Sequence, residues 1–255
     1  MKNKNLIILA FFLAISGWAS AQEYKVAKSS GRLEINIGRV VVEGHSGNDI
    51  IFTSLEHRNK EEDERAKGLE AINGSGLKDN TGLGINVSEK DNVIRVSQLK
   101  KMNSPDIKIL VPKGVIVSFE FDSQYGGDAK FKNMENEIEV SAQYNSVELD
   151  NITGPLTVKT IYGHVEANFN NNIKGPISIV SVYGYADVTL PVATKADLKL
   201  STSYGEILVA PEFKIEVENS GGVRRISDQV VGKINGGGIK IDITCNYGKV
   251  YLRKK

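Results

Sequence analysis

A tyrosine followed by glycine recurs along this chain, always just after a short run of alternating apolar residues. The copies are Tyr125-Gly126, Tyr162-Gly163, Tyr183-Gly184, Tyr204-Gly205 and Tyr247-Gly248, and Tyr144-Asn145 is a variant with Asn in the second place. From Tyr125 to Tyr204 the successive tyrosines stand 19, 18, 21 and 21 positions apart. That interval is the length of one coil of a stacked β-solenoid and far exceeds any coiled-coil or helical period. The repeat therefore constrains architecture, while nothing comparable in the chain constrains chemistry.

Apolar residues fall six, four and often two positions before each tyrosine: Phe119 and Phe121, Ile138, Val140 and Ala142, Leu156 and Val158, Ile177 and Ile179, Leu198 and Leu200, Ile241, Ile243 and Cys245. Alternation at period two over such short runs marks strands with one buried face. Beyond the tyrosine the parity changes, with apolar positions three and five residues on: Val147 and Leu149, Val165 and Ala167, Ala186 and Val188, Ile207 and Val209, Val250 and Leu252. One continuous strand cannot do this, so the chain must turn a corner at Tyr-Gly. The glycine is expected to supply a positive φ there, with Asn145 the next most tolerant residue. Each unit is strand, corner, strand and connector, and stacking of units makes a continuous core. A degenerate unit around Ile215, Val217 and Gly221-Gly222 is expected to restore the rhythm between Tyr204 and Tyr247. An antiparallel sandwich would also alternate, but it gives no reason for one corner to recur in register. The expected fold is an all-β parallel solenoid of about 18–21 residues per coil.

The first residues combine a charged start, an apolar stretch from Leu6 to Trp18 and an Ala19-Ser20-Ala21 cleavage pattern, so residues 1–21 read as a secretory signal peptide. The apolar run is shorter than the ~20 residues of a spanning helix. The mature chain, 22–255, is expected to form one domain in the periplasm or cell envelope, or secreted, with no transmembrane segment. Irregular first coils occupy 22–114 and regular coils 115–255. A near-neutral formal charge of +1, without long blocks of one sign, argues against nucleic acid as the partner. The single cysteine, Cys245, lies on an apolar strand face and reads as a core residue. Near residues 59–73, Asn59 with Glu62 resembles a capping box. Ala66, Leu69 and Ile72 make a narrow apolar stripe there, and Glu61/Arg65 and Asp63/Lys67 are spaced as helical ion pairs. One short charged helix is predicted, its apolar edge covering a flank or end of the solenoid.

Four residues beyond the tyrosines lie Glu148, Glu166 and Asp187, flanked by Asp150. In-register stacking would set these carboxylates ~5 Å apart, which is unfavourable without compensation. A bound cation such as Ca²⁺, nearby lysines or plain solvation would each compensate. Parallel β-helices also host polysaccharide lyases and hydrolases, so a carbohydrate-active enzyme using this acidic row is the alternative reading. Against it, no Arg stands on the neighbouring outward row, His164 is alone, and His45, His57 and His164 have no metal spacing. No catalytic set is expected, and the chain reads as a non-enzyme. The tyrosines are expected to stack at the corners as a structural ladder.

The Tyr-Gly corners, the Val-Pro-Lys-Gly turn at 111–114, the charged insert and the Ile-Asn-Gly-Gly-Gly-Ile run at 234–239 resemble a bacterial family of adhesin-like exported β-solenoids. Its members carry a domain of unknown function and share the style of auto-transporter adhesin head domains. The resemblance implies a β-helix-like fold at the cell envelope that presents a flank to a polysaccharide, an envelope component or a protein. It supplies no catalytic residues.

Overall fold

The computed structural model describes residues 23–55, 64–217 and 228–255; the signal-like segment 1–21 and Gly221-Gly222 lie outside them. The parity change at each corner marks a change of sheet. Strands before the corner belong to an eleven-stranded sheet and strands after it to a ten-stranded sheet. One unit, or rung, thus has one strand in each: Ile138–Ala142 with Val147–Ile152, Leu156–Thr160 with Val165–Phe169, Ile177–Ser181 with Ala186–Leu190. Neighbouring rungs pair in parallel, like on like. Ile138, Leu156, Ile177, Ile241 and Leu198 form one inward row, and Val147, Val165, Ala186, Val250 and Ile207 form another in the second sheet. The two inner faces make one apolar core, where Phe119 meets Phe131 edge-on across the sheets at 6.3 Å. Parallel pairing of the rungs rules out an antiparallel sandwich for these strands.

Spatial order departs from chain order near both ends. Ile239–Cys245 and Val250–Lys254 lie between the rung of Tyr183 and the rung Ala196–Thr202/Ile207–Val209. At the other end, Ser30–Asn36 and Val40–His45 lie between the rung Gly114–Phe121/Ala129–Lys132 and the strands Val93–Gln98 and Ile107–Pro112. Antiparallel strands then finish the sheets: Glu23–Ala27, Asp49–Ser54 and Ile85–Lys90 at one end, Asp228–Ile234 and Ile215–Val217 at the other. The gap in the tyrosine rhythm is therefore not filled by a degenerate coil. Ile215–Val217 runs antiparallel to Asp228–Ile234 as a terminal strand, so the expected restored rhythm is corrected here.

The charged segment is likewise corrected. Residues 59–63 lie outside the described residues, and Glu64–Ala66 forms a single 3-10 turn with no α-helix following it. Gly68 at φ 78° takes the left-handed conformation and stops any continuation. Leu69 and Ile72 are exposed, so the stripe covers nothing; Glu70 pairs with Lys78 at 2.7 Å instead. Three apolar positions bury too little to hold a short helix.

Candidate functional site

Close backbone stacking, and not positive φ, explains the corner glycines. None of Gly126, Gly163, Gly184, Gly205 and Gly248 lies in the left-handed region, which Asn133 (φ 52°) and Asn151 (φ 55°) take at the far end of their rungs. A Cβ on Gly163 would sit 1.9 Å from the Asn145 carbonyl oxygen, and one on Gly184 2.2 Å from that of Gly163. On Gly248 it would meet the Gly184 oxygen at 1.9 Å, and on Gly205 the Gly248 oxygen at 1.8 Å. These four corners are thus each pressed onto the carbonyl of the corner before it in space, whereas a Cβ on Gly126 would meet the Asn145 side-chain amide at 2.8 Å. A buried donor two residues before Tyr162, Tyr183, Tyr247 and Tyr204 serves that same backbone carbonyl. Thr160 Oγ1 donates to Asn145 O at 3.2 Å, Ser181 Oγ to Gly163 O at 3.2 Å, Cys245 Sγ to Gly184 O at 3.1 Å and Thr202 Oγ1 to Gly248 O at 3.2 Å. Burial pushes the Cys245 thiol up from its ordinary range, which keeps it protonated as this donor requires. Asn145 opens the column: its buried amide donates to the carbonyls of Gly38 and Gly127, both at 2.7 Å.

Upon these corners stands a column of stacked rings in the order Tyr144, Tyr162, Tyr183, Tyr247, Tyr204. Their centroids are 5.0, 5.2, 4.8 and 5.0 Å apart and neighbouring planes lie within 18°. All five remain 44–70% exposed. Tyr125 stands apart, lining a separate depression with Arg39 and Met102.

The acidic row forms as expected: Glu148, Glu166 and Asp187 are directly opposite one another on successive strands. They line a shallow depression of about 350 Å³ together with Asp150, Asn168 and Arg253. Each has its own partner. Lys130 holds Glu148 at 2.9 Å, the Tyr185 hydroxyl donates to Glu166 at 2.5 Å, and Arg253 Nε reaches both oxygens of Asp187 at 2.7 and 2.9 Å. Asp150 accepts from Asn168 at 2.9 Å. The carboxylate bound to its hydroxyl pushes Tyr185 up to about 12, favouring the neutral phenol that donates. Tyr185 also stacks on His164 at 4.6 Å, and His164 Nδ1 lies 3.0 Å from Ser146 Oγ. An arginine therefore does face the row, contrary to the sequence reading; it arrives on the inserted last strand. Of the other histidines, His45 bonds the Asp49 carbonyl at 2.8 Å, and His57 lies outside the described residues.

Among the described residues no group of three or more His, Cys, Asp and Glu is arranged to hold a metal ion. With amine, phenol and guanidinium already placed on the row, millimolar Ca²⁺ is expected to leave the Tm unchanged. A thermal melt with and without the ion checks this, and a rise with Ca²⁺ would show that a cation supplants those partners.

Repeated corners, parallel sheets and the inserted rung describe one stretch of the chain. Residues 127–253 match the family described as Toastrack DUF4097. The matched region opens directly after the first Tyr-Gly corner and takes in the tyrosine column, the acidic row and the inserted rung as far as Arg253. No curated protein matches the sequence. Two crystal structures match the chain. A putative cell adhesion protein from Clostridium sporogenes is 14% identical with a TM-score of 0.40, the match covering 92% of this chain and 100% of that one. A putative adhesin from Bacteroides fragilis is 12% identical with a TM-score of 0.36, covering 91% and 96%. No helix among the described residues is long and apolar enough to cross a membrane.

Proposed function

We propose that this chain is an exported, non-enzymatic binding or structural module of the bacterial cell envelope, built as a parallel β-solenoid that presents its corner and acidic flank to a partner. The observation that carries this reading is the column of five exposed, mutually stacked tyrosines beside the acidic row. Exposed aromatic groups in a fixed array are costly in solution unless something covers them, and tyrosine suits a surface that is part apolar and part hydrogen-bonding. The acids support the same reading. A glycoside hydrolase sets two carboxylates facing each other across a cleft. Here Glu148, Glu166 and Asp187 share one flat row, and each is tied to a neighbour. The signal-like residues 1–21 support export, and kinship with auto-transporter adhesin heads belongs to the same proposal.

The mature protein is expected to bind on an array of glycans and envelope polymers without turning any of them over. Turnover of a uronate or neutral polysaccharide, abolished by Glu166→Gln, would overturn this in favour of a carbohydrate-active enzyme.

A further inference from the structure

We propose that the column Tyr144, Tyr162, Tyr183, Tyr247, Tyr204 seats an uncharged, extended β-1,4-linked glycan lying along the stack, one sugar to each rung. The inference rests on the binding-module reading and names its ligand class. Ring geometry sets what the column can offer. The three inner rings spend both faces on their neighbours, so they turn edges and hydroxyls outward. A sugar stacked flat on a ring face is therefore excluded along most of the column. What remains is one phenol hydroxyl, donor and acceptor alike, on each ring of a column whose centroids step by 4.8–5.2 Å.

That step discriminates among polymers. An extended peptide advances about 3.3 Å per residue and a polyproline helix about 3.1 Å, so neither stays in register over five rungs. An α-helix has a pitch of about 5.4 Å, but its 3.6 residues per turn carry successive side chains off a straight row. Duplex nucleic acid repeats at about 3.4 Å per strand, and nucleic acid of either form brings a charge with each step. A chain of pyranoses joined through equatorial 1 and 4 positions advances by nearly the rung spacing per sugar, with hydroxyls along both edges.

Charge completes the selection. The residues just before the tyrosines, Gln143, Ile161, Val182, Asn246 and Ser203, carry no formal charge. Two positions beyond the tyrosines stand Ser146, His164 and Tyr185, and the only Lys and Glu there, Lys249 and Glu206, pair with each other at 2.6 Å. The strip thus fits a neutral polymer, in contrast to the acidic row beside it.

The test is calorimetric titration of the mature chain with cello- and chito-oligosaccharides of two to six sugars, and with β-1,3-linked hexasaccharide. Affinity is expected to rise with length up to five sugars and to favour β-1,4 over β-1,3 linkage by about tenfold. The double variant Tyr183→Phe/Tyr247→Phe keeps the stacked rings and removes two hydroxyls. It is expected to weaken binding about tenfold with an unchanged Tm. Equal affinity for the two linkages, absence of length dependence, or full-strength binding by the Phe variant would overturn the proposal. If the chain meets one of those results yet still binds another glycan or an envelope polymer, this inference falls and the binding-module reading stands.

Discussion

Replacing Gly248 with alanine is expected to lower the Tm by about 6–12 °C, on the basis of a cost near 3 kcal/mol or more. The added methyl would lie 1.9 Å from the Gly184 carbonyl oxygen and 3.0 Å from its carbon, with Cys245 Sγ at 3.1 Å. Two of these three atoms are backbone of a strand-bound corner, so no side chain can swing away to make room. Gly74→Ala is the control, since nothing lies within 4 Å of its added carbon, and it should change stability by less than about 0.5 kcal/mol. Asparagine separates the two explanations of the corner. If the site needed positive φ, Gly248→Asn would be mild, because Asn enters the left-handed region readily. Since it needs empty space, Gly248→Asn should cost at least as much as alanine. Thermal melts of the three variants decide it, and a mild Asn variant would return the conformational explanation.

Deleting residues 239–255 is expected to abolish cooperative folding. In an ordinary solenoid the last coil is an end cap, and its loss trims the stack. Here Ile239–Cys245 pairs with strands on both sides, and Val250–Lys254 does the same in the second sheet. Ile241, Ile243, Val250 and Leu252 are each buried to within 1%. At roughly 1.5–3 kcal/mol per side chain, their burial is comparable with the ~5–15 kcal/mol that holds a typical domain folded. The truncated chain should lose its sharp unfolding transition in urea monitored by circular dichroism. A single transition near the parent midpoint would contradict the inserted position.

The sequence made the sheets legible because the evidence for them is local. Inward positions at minus six and minus four, then plus three and plus five, are fixed by the pleat and by the corner between them, wherever the rung ends up. Order along the stack is another matter. Ile241 and Leu198 both pack under the same rule and pair with each other in register, so nothing in either run states which of them sits against Ile177. That ambiguity also concealed Arg253, which reaches Asp187 only because its strand is inserted beside Ala186–Leu190. The column of Thr160, Ser181, Thr202 and Cys245 carried a signal that parity alone did not reveal: a small hydrogen-bond donor two residues before each Tyr-Gly. Glycine misled because it answers two needs, positive φ and lack of a Cβ, with one residue type. The charged segment misled because pattern without enough apolar surface is no helix, as the exposure of Leu69 and Ile72 shows.

The inserted rung also fixes what assembly can and cannot do in time. Growth of the stack in chain order stops at Leu190, because the place beside the Tyr183 rung belongs to residues that follow Thr202 by more than thirty positions. The strand Ala196–Thr202 must either wait, unpaired on that side, or take the place first and be displaced when Ile239–Cys245 arrives. Completion of the tyrosine column is thereby tied to the arrival of residues 239–254, so that a chain not yet extended through them cannot display the finished surface.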